Sequence, residues 1–237
     1  MPAPTGIDLM DVEPVGIAAS LAALGGALGI LAVRGLVRAV RSRKLTQAMW
    51  GVGMGLGAAA MAIEFLVFVG ILTEGLLQAY VFLSAGIVGV LSLGAVGALH
   101  RPRLSKGYGA FQGSALAVTA VVSFVTRMPL SMVSQGIIVA DPPMVPLLLS
   151  FIVTIPATVV LLGSAALSLR KSFHWSHVTM LAGACVLGAG GALYIASFPV
   201  MLYYAEFVGI IMLFVGLMNL SKVSVAAPAA VGSPRAN

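Results

Sequence analysis

Two carboxylates stand inside apolar stretches of this chain, Glu64 and Glu206. A carboxylate in hydrocarbon is costly, so it is buried in a bundle, paired, protonated or functional. Glu64 lies in the run 50–72, behind a glycine ladder of Gly51, Gly53, Gly55 and Gly57. On a helix, Gly53, Gly57, Ala60 and Glu64 share one face at i, i+4, i+7 and i+11. Such small residues admit a neighbouring helix closely, so this face is expected to look into a bundle and to take Glu64 with it.

Glu206 has Tyr203 three residues before it and Gly209 three after, which places a hydroxyl and a small residue on its face. Counting along the spans given below puts Glu64 roughly 12 Å and Glu206 roughly 8 Å below the outer surface. Tyr80, Tyr194 and Tyr204 fall in the same outer half. The expected site is an outward-facing polar pocket of Glu64, Glu206, Tyr80, Tyr194, Tyr203 and Tyr204. It suits a proton, a small cation or a cationic ligand, since Arg127 is the one basic residue expected nearby. The alternative is two protonated or tyrosine-bonded glutamates that fasten helices together.

Other chemistry finds less support. His174 and His177, at i and i+3, supply two ligands without a third and read with Trp175 as an interfacial belt. No histidine lies mid-span, which argues against haem b. Met49, Met54, Met61, Met212 and Met218 read as gap fillers beside glycine before they read as a copper site. The single cysteine, Cys185, permits no internal disulfide. No P-loop, G-x-S-x-G or H-E-x-x-H is present, so an enzyme ranks behind other readings. No metal or cofactor is expected.

The elements that must position these residues follow from composition. Charged residues make up 8% of the 237 and hydrophobic ones 60%, with mean hydropathy +1.09; a soluble domain carries about a quarter charged residues. The apolar runs predict an all-α polytopic membrane protein, a seven-transmembrane-helix bundle with spans at 15–40, 47–72, 76–99, 108–126, 145–169, 178–198 and 201–220. Continuous apolar runs exclude a membrane β-barrel. Residues 1–14 are expected as a polar extracytoplasmic segment, 15–222 as one transmembrane domain and 223–237 as a disordered cytoplasmic tail. The 127–144 loop, which carries Met128, Leu130, Met132, Ile137 and Ile138, is expected to lie against the membrane surface.

Net charge is +6. The basic residues cluster in connections at one end of the predicted spans, which puts the N-terminus out and the C-terminus in and explains the charge without nucleic acid. Arg127 alone falls outside.

Seven spans with the N-terminus out resemble the topology of microbial rhodopsins, but the Schiff-base lysine is missing: Lys222 lies beyond the last span. The Trp50–Glu64 helix spacing and the segment Tyr204-Ala205-Glu206-Phe207-Val208-Gly209 resemble uncharacterised seven-span integral membrane proteins of prokaryotes. That resemblance covers most of the chain. It implies a multi-pass protein of the prokaryotic cytoplasmic membrane and no particular activity. Two functions are expected: binding or transport of a proton, small cation or cationic ligand, or a non-catalytic accessory subunit. The second would meet a membrane-protein partner or a second copy through its glycine-rich helix faces.

Overall fold

The structure is a computed structural model, and it describes residues 9–99, 102–134, 137–138 and 142–171 with scattered residues between 175 and 212. Its long helices are α1 (Leu9–Ser42), α2 (Leu45–Phe68), α3 (Glu74–Ala98), α4 (Pro102–Val125) and α5 (Met144–Lys171). Between α4 and α5 lie a 3-10 turn (Leu130–Met132) and two short strands, β1 (Val133–Ser134) and β2 (Ile137–Ile138). The strands pair antiparallel, Val133 with Ile138 and Ser134 with Ile137.

The expected seven-helix bundle is corrected by this architecture. Among the described residues, five helices are long and apolar enough to cross a membrane. Those five make the chain a multi-pass membrane protein. Hydropathy counts apolar runs, and five of them stand as membrane-length helices among the described residues. The expected spans at 178–198 and 201–220 lie largely outside the described residues, as do the tail 223–237 and the first residues of segment 1–14. The remainder of that segment, from Leu9, already belongs to α1.

Short connections make successive helices antiparallel. The α1–α2 link is tight: Arg43 adopts φ 52°, a left-handed conformation that costs a non-glycine residue about 1 kcal/mol or more. The other end of α2 stops at Gly70, φ 90°. There Gly70 N–H donates to the Val67 carbonyl and Ile71 N–H to that of Leu66, the paired bonds of a Schellman motif. Helix α3 opens with the Thr73 hydroxyl accepting from Leu76 N–H at 3.3 Å, while Glu74 complements the helix dipole.

Helix α3 is the hub, packing on α2, α4 and α5, while α1 packs on α2. On α1, Ile17, Leu21, Leu24, Leu28 and Leu31 are all buried. Their alternating spacing of four and three gives a coiled-coil-like seam, which meets Met54, Met61 and Leu91. A second apolar cluster closes the opposite end. Ile63 and Val67 of α2 and Leu77 and Val81 of α3 pack with Met128, Met132 and Ile138 from the α4–α5 connection. That connection was expected on the membrane surface. It folds inward because its three large apolar side chains bury to 3%, 2% and 7% exposure, which removes more apolar area from water than surface contact would.

Candidate functional site: a buried carboxylate in a glycine-zipped helix interface

The α2–α3 interface is set by close approach. A Cβ on Gly94 would come 2.6 Å from Cδ1 of Trp50, and one on Gly53 would come 2.7 Å from Cδ2 of Leu91. Gly57 faces Ile87 on the same side and Leu28 of α1 on the other. These pairs define one antiparallel register, and that register carried two further turns places Glu64 opposite Tyr80. The face expected from periodicity is therefore the face observed, since Gly53, Gly57, Ala60 and Glu64 are all buried.

Glu64 is 4% exposed. The Tyr80 hydroxyl donates a hydrogen bond to its carboxylate. The remaining oxygen, Oε2, has no hydrogen-bond partner among the described residues. Helix α2 ends at Phe68, short of the expected 72, so Glu64 sits about 6 Å from the helix end. It is not left in the open there, because the cluster built on Ile63, Val67, Met128, Met132 and Ile138 closes that end. Glu74 ties the closing segment down: its Oε1 accepts from Met128 N–H at 3.1 Å.

Of the six residues expected to form the pocket, the structure brings Glu64 and Tyr80 together. Glu206, Tyr194, Tyr203 and Tyr204 lie outside the described residues, as do His174 and His177. Among the described residues one open groove of about 420 Å³ lies between α1 and α2 and another of about 400 Å³ between α2, α3 and α4, and Glu64 lines neither. Among the described residues no group of three His, Cys, Asp or Glu could hold a metal ion.

A second buried polar feature escaped the sequence reading. Gln112, Thr119 and Ser123 of α4 are completely buried, and Tyr108 stands one turn before Gln112 on the same face. Tyr108 and Ser92 of α3 share a hydrogen bond at 2.7 Å, and the Ser92 hydroxyl lies 2.7 Å from the Gly89 carbonyl. Gln112 donates through Nε2 to the Val153 carbonyl of α5 at 3.0 Å. That carbonyl lies within one turn of Pro156, where the missing N–H loosens the helix ladder. Gly89 makes the room: a Cβ there would sit 2.9 Å from the Gln112 amide. Thr119 bonds back to the Ala115 carbonyl at 2.8 Å. The sequence signal is a polar stripe with helical period in SKGYGAFQGSALAVTAVVSF, in a span with no carboxylate to mark it.

Compared with family models, with curated proteins and with solved structures, the chain shows no match to any.

Proposed function

We propose that this protein binds or moves a proton or small cation across a prokaryotic cytoplasmic membrane, and that Glu64 is the group that takes it up. One observation carries the reading: among the described residues, a buried carboxylate inside a membrane span holds a single hydrogen bond, from Tyr80, and leaves Oε2 without a partner. An unpaired charge at such depth costs about 3 kcal/mol. Uptake of a proton or cation removes that cost, and its release restores it, so occupancy of Glu64 responds to the supply of the ion. Tyr80 orients the carboxylate and stabilises the empty state through its hydroxyl.

Ion flux into vesicles reconstituted with the full chain tests the proposal. Glu64→Gln keeps the size and one acceptor, so the protein stays folded while flux falls to the level of empty vesicles. Tyr80→Phe retains flux with altered ion dependence. Flux unchanged in Glu64→Gln contradicts the assignment.

A specific observation supports a second reading, an accessory subunit. The groove between α1 and α2 is lined by the small residues Ala22, Gly25, Gly26, Ala58 and Ala62, and a Cβ on Gly26 would meet nothing within 4 Å. A partner helix with small residues of its own fits that groove. Recovery of the protein from native membranes as a stable monomer counts against this reading.

A further inference from the structure

The groove of about 400 Å³ between α2, α3 and α4 has a different character from the one on α1. Its floor is Leu93, Val96 and Gly97 of α3, and its walls are Leu45, Thr46 and Met49 on one side with Ser105 and Gly109 on the other. It opens at the end of the molecule where α2 and α4 begin. Lys44 immediately precedes the wall residue Leu45, and Lys106 follows Ser105 one turn before Gly109; both lysines are exposed.

Among the described residues, nothing acidic at this end offsets the charge. Neither α2 nor α4 has an acidic residue in its first turn. Glu64 and Glu74 belong to the opposite end, where α2 finishes and α3 starts. The groove thus has an apolar base, the hydroxyls of Thr46 and Ser105 among its lining, and an exposed lysine next in sequence to a lining residue on each wall. That sequence of chemistries matches one molecule from acyl chain through glycerol to phosphate.

We infer that this groove holds an anionic phospholipid, its chain on Met49, Leu93 and Val96 and its phosphate between Lys44 and Lys106. Basic pockets between spans select anionic headgroups, and a lysine near the membrane surface strengthens such binding about fivefold. The apolar base makes the lipid, with its chain, the occupant; free phosphate would engage the rim alone.

The test is electron paramagnetic resonance of spin-labelled phosphatidylglycerol and phosphatidylcholine with the full chain in phosphatidylcholine vesicles. Wild type holds labelled phosphatidylglycerol at least about fivefold more tightly than phosphatidylcholine. Lys44→Gln with Lys106→Gln brings the two labels to parity. Gly109→Leu, at a position where a Cβ meets nothing within 4 Å, fills the groove without disturbing the fold and lowers retention of both labels. Equal binding of the two lipids by wild type overturns the inference, as does a preference that survives the lysine changes. Displacement of the label by glycerol 3-phosphate alone also overturns it, since the acyl chain would then contribute nothing.

Discussion

Helix α3 has two working faces, and they differ in that one adds hydrogen bonds to the close fit. Toward α2 the contact is steric: Gly53 and Gly94 let Leu91 and Trp50 approach to distances that a Cβ would block, and Gly57 lies against Ile87 between them. Toward α4 and α5 close approach at Gly89 is joined by hydrogen bonds: Tyr108 of α4 bonds Ser92 of α3, and Gln112, lying against Gly89, ties α4 to the Val153 carbonyl of α5. Both solve the same problem, because lipid tails provide no hydrophobic drive between helices and association must come from close fit or from hydrogen bonds. The difference shows where function is to be sought. Polar groups on the α4 face belong to its design, whereas Glu64 is a carboxylate in an interface otherwise made for close fit.

Magnitudes support that division. Gln112 leaves its Oε1 and Ser123 its Oγ without partners among the described residues. A neutral orphan of this kind costs about 1 to 3 kcal/mol, and an orphaned charge costs more. The neutral orphans are tolerable flaws in a structural seam. The carboxylate oxygen of Glu64 is harder to explain without an ion to occupy it.

The comparison breaks most visibly at the steric face. Gly94→Leu forces its side chain against the indole of Trp50 and should lower stability by about 3 kcal/mol, read from unfolding in detergent micelles. Gly113→Leu, on α4 where a Cβ meets nothing within 4 Å, should leave stability unchanged or slightly raised, since glycine weakens a helix interior. On the polar face the effects are smaller. Gln112→Leu removes the bond to Val153 and should cost about 1 kcal/mol in the same assay, in line with measured hydrogen bonds between membrane helices. Ser123→Ala removes an orphan and should be neutral or stabilising by a few tenths of a kcal/mol; a loss of about 1 kcal/mol would reveal a bonded hydroxyl and sharpen the seam's role.

Much of the α2–α3 interface was legible in the sequence, because a face of Gly53, Gly57, Ala60 and Glu64 needs only helical period to be seen. Tyr80 belonged to the expected set, but its pairing with Glu64 needed the register, which depends on which glycine meets which large side chain. The α4 stripe of Tyr108, Gln112, Thr119 and Ser123 has the same period but surrounds no carboxylate, so nothing in its composition separates it from ordinary helix packing. Burial of Met128, Met132 and Ile138 could not be read locally: the same apolar residues suit a membrane surface or a protein core, and the choice lies in distant Ile63 and Leu77. The expected count of seven spans gives way to five membrane-length helices among the described residues, since apolar composition alone does not fix how many helices form. Glu206 and the tyrosines around it lie outside the described residues, so Glu64 and Tyr80 carry the site.

The central claim is that Glu64 exchanges an ion, and carboxyl-band infrared difference spectroscopy on the full chain in lipid tests it most directly. Spectra are taken as pH and cation are varied, with Glu64→Gln to assign the band. The account predicts a band that disappears in Glu64→Gln, responds to the ion and shifts in Tyr80→Phe, whose hydroxyl is the carboxylate's one bonded partner among the described residues. A Glu64 band that stays fixed under every pH and cation would contradict the account and leave the carboxyl as a fastener between α2 and α3.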